Sequence, residues 1–323
     1  MAQNQDEKKR RRRVLAAAAA LAASAAGVLA FSWLWPRPKP KPRETPTQTV
    51  TTLEADVIAV KVDEAPIRDP DSPLWEQAEE SSIRLAEQAI VPPIKMDVPG
   101  KPLKVRVLYD SKWVAFRLEW EDESVEQHTI KVRQFRDSCA VLLTKHPAPP
   151  EARFMGTKDT PATILHWRAD WQLDVEEGFQ DLEVAFPNVA SDYYPMMMGK
   201  SRDGKPPKTT EFTEEARLWI PGWSVGNPIS QPEKKSPVEK LLAVGPGSIT
   251  SLPTQDAEGW GRWVEGKWRV VIAKKLKASD EAEGEISLEP GQLYTVAFTV
   301  WYGQMGDRGA RKNPSFLHTL KLE

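Results

Sequence analysis

From Val57 onward, apolar and polar residues alternate in short bursts, the period-two pattern of strands buried on one side. Residues 57–62 (Val-Ile-Ala-Val-Lys-Val) form the first run. Residues 103–109 and 113–120 follow, separated only by Asp110, Ser111 and Lys112, and that spacing predicts a hairpin. Residues 139–143, 163–167, 268–273 and 294–301 continue the series, while 83–90 fits strand or short helix equally well. No long helical period separates these runs. They predict an all-β fold, an antiparallel β-sandwich with short helices in its loops. Residues 172–260 are less regular and read as long loops between strands, with a short helix near 213–218.

The first 56 residues follow different rules. Residues 1–13 end in the basic run Lys8 to Arg13, and residues 14–35 are uncharged and rich in Ala and Leu. A helix of that length spans about 33 Å, enough for a bilayer core. Trp33 and Trp35 stand where interfacial aromatics belong. Residues 14–35 therefore read as a transmembrane anchor or as the apolar region of a signal peptide, for which Ala23-Ser24-Ala25 has the small-residue cleavage pattern. Either way, the positive flank predicts export of the body. Residues 36–56 read as a linker, whose alternating prolines from Pro36 to Pro42 favour extended polyproline II. The domain proper is 57–323.

Charge sharpens this division. Ten Lys/Arg against Asp6 and Glu7 give residues 1–43 a charge of +8, so with a total of −2 the remainder carries −10. An acidic body argues against nucleic acid as a partner and suits a basic protein partner. The single cysteine, Cys139, excludes an internal disulfide, a Cys-x-x-Cys centre and a covalently attached c-type haem. Its apolar setting reads as a buried small hydrophobe.

The candidate chemistry sits in residues 153–172. Phe154-Met155-Gly156 puts a thioether beside a residue with no side chain, so a flat apolar ligand can approach closely. Phe154, Trp167 and Trp171 would wall such a ligand. Downstream come His166 and Arg168 on the strand that carries Trp167.

This run resembles the haem-binding gamma subunits of ethylbenzene dehydrogenase, dimethylsulfide dehydrogenase and chlorate reductase. The resemblance extends through Asp69–Trp75 with Gln88 and Pro92, through 118–124 and 135–141, and through 266–272 and 296–303 to the closing loop 308–315. It implies one non-covalent b-type haem with Met155 as an axial ligand. The second ligand in that family is a lysine, which matches Lys312. The resemblance makes Phe154, Gly156, His166, Trp167 and Arg168 the cofactor-binding residues. His166 would contact a propionate or fill the core, and Arg168 would pair a propionate through its guanidinium. Lys274, Lys275, His128, His146 and His318 are reserve ligands, as are Met196, Met197 and Met198.

By that resemblance the chain is no enzyme but an exported electron-transfer subunit. Its partners would be the iron–sulfur and molybdopterin subunits of an oxidoreductase and a c-type cytochrome or other carrier. A membrane-tethered carbohydrate- or ligand-binding sandwich without haem fits the 13 tryptophans and the strand pattern equally well. The methionine motif and the lysine loop separate the two, because sugar binding needs neither.

Overall fold

Burial alternates along residues 57–60 and 116–121, as period two dictates, whereas 138–144 is buried on both faces. In a computed structural model, which describes residues 55–189, 213 and 215–323, thirteen strands form one continuous sheet. They are β1 (Val57–Lys61), β2 (Ser81–Ile83), β3 (Leu103–Tyr109), β4 (Trp113–Glu121), β5 (Ser138–Lys145), β6 (Ala162–Arg168) and β7 (Val238–Ala243). After these come β8 (Thr250–Ser251), β9 (Glu258–Val264), β10 (Lys267–Lys275), β11 (Leu293–Trp301), β12 (Asn313–Pro314) and β13 (His318–Leu322). The basic N-terminus, the apolar stretch 14–35, nearly all of the linker and Met196–Met198 lie outside the described residues. Among the described residues, no helix is long and apolar enough to cross a membrane.

The strand order is β8-β7-β6-β5-β11-β13-β1-β3-β4-β10-β9, with β2 on β3 and β12 on β11. The two halves face each other across one core: Trp167 of β6 meets Trp120 of β4 and Trp268 of β10 edge-on, at centroid distances of 6.4 and 5.0 Å. Such pairs add about 0.5–1.5 kcal/mol each beyond their buried area. Gly261 of β9 admits the Trp167 ring, since a Cβ there would stand 2.4 Å from it. The Trp167 indole N–H donates to Gln172 Oε1, on helix α1 (Ala169–Glu177) directly after β6.

The all-β sandwich is as expected, and three features differ from the sequence pattern. β1 runs parallel to both β13 and β3, so the sheet is mixed rather than antiparallel. Residues 172–260 are not only loops, because β7, β8 and the start of β9 fall within them. In β7 the pattern is masked by Glu239 and Lys240, both buried: Glu239 pairs with Arg168, and Lys240 with Asp256 and Glu285. The short helix near 213–218 is a 3-10 turn at Ala216–Trp219. The predicted hairpin is β3–β4, whose turn is held by Asp110 accepting the amides of Lys112 and Trp113, each at 2.7 Å. Cys139 is fully buried in the core.

Candidate functional site

The outer face of β5, β6, β7 and β11 forms the floor of a cavity of about 750 Å³, within the ~300–1,000 Å³ usual for ligand and cofactor sites. Alternation dictates what lines it, because residues two apart share a face. Ala140 and Leu142, Ile164 and His166, Glu239 and Leu241, and Ala297 and Trp301 all point to it. Register then sets a polarity gradient. Leu142 lies opposite both Ile164 and Ala297, and Ile164 opposite Leu241, which makes an apolar row. Two residues further along, His166 lies opposite Ala140 and Glu239, and beyond that Ser138 lies opposite Arg168 and Trp301.

Met155 reaches this floor from a tight turn. A 3-10 turn, Pro150–Arg153, leads into Met155 at φ +76° and Gly156 at φ +72°. The left-handed region costs a non-glycine residue about 1–2 kcal/mol, so the surroundings must hold Met155 there. The Met155 carbonyl accepts from the Gly245 amide at 2.8 Å, and the Gly156 amide donates to Ala152 O at 2.8 Å. Glycine is required at 156 for a second reason. A Cβ there would stand 2.8 Å from Ala162 N and from Ala243 O, the paired ends of β6 and β7. The turn is thus pressed onto the sheet, and the Met155 side chain packs on its apolar row.

Lys312 arrives from the far end of the chain. Its loop is tied down on both sides: Asn313 Nδ2 donates to Ala86 O and Asp97 O, and Gln88 Nε2 donates to Ala310 O. Behind it the fully buried pair Lys95–Asp307 closes at 2.6 Å. Lys312 Nζ lies 3.7 Å from Met155 Sδ and 5.1 Å from the centre of the Trp301 ring. No carboxylate among the described residues pairs with it, and burial lowers its pKa from 10.5 to about 8. Deprotonation at pH 7 then costs about 1 kcal/mol rather than about 5. A thioether and a readily neutralised amine thus face each other over an apolar floor, and both are residue types that could bind a transition metal.

Phe154, Met155, His166, Arg168 and Lys312 all line the cavity. Trp167 and Gly156 do not. Trp167 is one residue out of phase with His166 and fills the core on the opposite face, which corrects its assignment as a cofactor wall. Gly156 serves the turn and leaves no room for a ligand. Trp171 lies on α1 beneath the Arg168 guanidinium, at 4.7 Å, outside the cavity. Arg168 is bonded through one nitrogen to the buried carboxylate of Glu239, which also accepts from Ser251 Oγ, and its Nε has no hydrogen-bond partner among the described residues. The reserve lysines and histidines are elsewhere. Lys274 binds Ile286 O, Lys275 pairs with Asp256, His146 meets Thr295 and His318 stands near Asp56. His128 is likewise not among the lining residues.

His166 stacks on Trp301 at 4.8 Å, and its Nε2 has no protein hydrogen-bond partner. Burial, then the charges of Arg168, Arg136 and Lys312, hold its pKa well below the usual value, so the ring is neutral. Glu239, Trp301 and Arg308 are cavity residues that the sequence pattern did not single out.

A family model described as ethylbenzene dehydrogenase matches residues 72–313, a span that includes both Met155 and Lys312. A Haloferax mediterranei protein, provisionally named respiratory nitrate reductase heme subunit ORF7, is 21% identical over 262 residues, 81% of this chain and 70% of that protein. A family 9 carbohydrate-binding module from Caldicellulosiruptor kristjanssonii, solved with glucose, is 10% identical over 83% of this chain and 95% of its own, with a TM-score of 0.37. The same module with cellotriose is 12% identical over 83% of this chain and 93% of its own, with a TM-score of 0.38. A structural likeness that loose says nothing about a ligand.

Proposed function

The chain belongs to the ethylbenzene dehydrogenase family, and from that premise we propose that it is the haem-carrying electron-transfer subunit of a respiratory oxidoreductase. It holds one b-type haem between Met155 and Lys312 and relays electrons without performing substrate chemistry itself. The observation that carries this reading is the 3.7 Å approach of Lys312 Nζ to Met155 Sδ at the cavity. Met155 and Lys312 are the residues that would hold the iron, one through a soft thioether and the other through a neutral amine. The name of the Haloferax mediterranei relative, a heme subunit of a respiratory nitrate reductase, supports the same reading.

When bound, the haem supplies a one-electron centre. The protein's residues set its character. Met155 is a soft, neutral ligand that favours ferrous iron and raises the potential. Lys312 coordinates as the neutral amine, which its burial and lack of a carboxylate make accessible. The apolar row of Leu142, Ile164, Leu241 and Ala297 keeps water from the group. Attachment is non-covalent, since the one cysteine, Cys139, is sealed in the core on the other face. Its partners are the iron–sulfur and molybdopterin subunits of the complex and a c-type cytochrome or similar carrier. The body works outside the cytoplasm, tethered by residues 14–35.

A reduced-minus-oxidised visible spectrum of the full chain, expressed with ample haem, tests this. Sharp six-coordinate b-type bands are expected, converting to high-spin in Met155→Ala and in Lys312→Ala. A folded protein that takes up no haem would defeat the reading in favour of a haem-free ligand-binding sandwich.

A further inference from the structure

The floor of the cavity is not uniform, and its asymmetry has a chemical direction. At one end lies the apolar row on which Met155 packs. At the other, Ser138, His166 and Arg168 share the floor with Trp301. Arg136 and Arg308 line the same end from the flanking loops. Of the three guanidiniums there, Arg168 is paired with Glu239 and Arg136 with Asp170 at 3.1 Å, while the lining carboxylate Asp307 is taken by Lys95 and Arg311. Arg308 has no acidic partner among the described residues. It lies over the Phe135 ring at 4.7 Å and donates to Gly306 O at 2.7 Å. Its neighbour Gly309 accepts the Trp301 indole N–H at 3.0 Å, and Trp301 is the ring stacked on His166. An exposed guanidinium, Arg308, and two shielded nitrogens without a hydrogen-bond partner among the described residues, His166 Nε2 and Arg168 Nε, thus line the cavity.

A b-type haem is itself amphiphilic, with an apolar edge and an edge bearing two carboxylates. Resting on the haem assignment above, we propose that the polar end receives the propionate edge. Arg308 supplies the neutralising charge and His166 Nε2–H donates a hydrogen bond. Arg168, committed to Glu239, orients that end without itself binding the carboxylate. The remaining guanidinium in the cavity, Arg153, sits between the Phe154 and Phe316 rings at 4.9 and 4.4 Å, on the residue pair leading to Met155. It serves as the internal control.

The test compares haemin with haemin dimethyl ester, whose carboxylates are masked, by Soret titration of the full apo-chain. Charge-assisted hydrogen bonds to carboxylates are the strong ones, and each 1.4 kcal/mol is tenfold. The wild type should prefer haemin by about tenfold or more. Arg308→Gln and His166→Leu should each weaken haemin binding about five- to tenfold and leave ester binding unchanged. Arg308→Lys should keep most of the preference, and Arg153→Gln should keep all of it. Thermal unfolding of each apo variant identifies any that fails to fold. Equal discrimination in the wild type, Arg308→Gln and His166→Leu overturns the proposal, as does its loss in Arg153→Gln. If those failures come with six-coordinate haem that depends on Met155, only the propionate assignment falls. If the wild type takes up no haem, the electron-transfer reading falls with it.

Discussion

β5, β6, β7 and β11 present the same alternation to two different environments. On the inner face, Cys139, Val141, Leu143, Leu165, Trp167, Val296, Phe298 and Val300 are all 0% exposed, sealed by the opposite half of the sheet. On the outer face, Ala140, Leu142, Ile164, Leu241, Ala297 and Trp301 retain 4–8% exposure and face an open cavity. The outer set is almost as apolar as the inner, and among the described residues it lines a cavity, with Met155 and Leu317 packed on it. Apolar surface left facing water is a standing driving force of about 25 cal/mol per Å² for whatever flat group can cover it. Strand parity therefore separates the residues that stabilise the fold from those that hold a ligand. Mutations on the two faces should separate in the same way.

The largest effect belongs to the inner face. Trp167→Ala removes the ring that joins β6 to Trp120 and Trp268 and takes one hydrogen bond from Gln172. It should cost about 3–5 kcal/mol in urea unfolding, while any folded fraction keeps the wild-type haem spectrum. A folded variant with near-normal stability and an altered spectrum would erase the distinction between the faces. Gly156→Ala comes next, because at this residue the two roles meet. The new Cβ must contend with a left-handed backbone and with Ala162 N and Ala243 O at 2.8 Å. About 2–3 kcal/mol is expected from strain and overpacking, together with a shift of Met155 that converts the haem to high-spin. Wild-type bands in a destabilised variant would show that the turn shapes the fold and not the ligand.

Much of this division was legible in the alternating runs. The strands, the hairpin and the buried Cys139 follow from period two and from composition. The Met155 turn was legible because Gly156 beside a methionine is a local signal. The resemblance supplied Lys312, and only the fold brings residues 155 and 312 together. Alternation alone implies that His166 and Arg168 share a face that Trp167 does not. It does not say which face another layer will close, and so Trp167 was set on the ligand side. β7 was hidden for a related reason. Adjacent charges look solvated until their partners are known, and Arg168, Asp256 and Glu285 come from other segments. Nor does sequence spacing show that Glu239 would occupy Arg168 and leave Arg308 free.

Lys312→Met tests the outer face with the opposite sign. Burial holds the folded pKa of Lys312 at about 8, below its ordinary 10.5. The unfolded chain therefore binds that proton more tightly, and wild-type apo stability is penalised below pH 8 and recovers between about pH 8 and 10.5. Lys312 is only partly buried, so the penalty should be about 1–2 kcal/mol, less than the full shift implies. The methionine variant should be more stable than wild type by that amount at pH 7, with the advantage vanishing near pH 10.5. A destabilised variant at pH 7 would mean that the lysine stabilises the fold through contacts and is not held there for a ligand.

The smallest effect on stability, and the sharpest comparison, comes from one step along β6. His166 and Trp167 are neighbours in sequence and face opposite sides of the sheet. The Nε2 of His166 is shielded without a protein partner, and an unsatisfied buried polar atom costs about 1–3 kcal/mol. His166→Leu keeps the stacking position over Trp301 filled and removes that atom. Apo stability should change by less than about 1 kcal/mol, in either direction, against about 3–5 lost at the adjacent tryptophan. Haem retention on a desalting column should fall nonetheless, because the residue's contribution is to the ligand and not to the fold. If His166→Leu instead destabilised the apo-protein as much as Trp167→Ala does, both faces of β6 would be structural. The cavity would then be an incidental gap between packed layers, not a site kept open by parity.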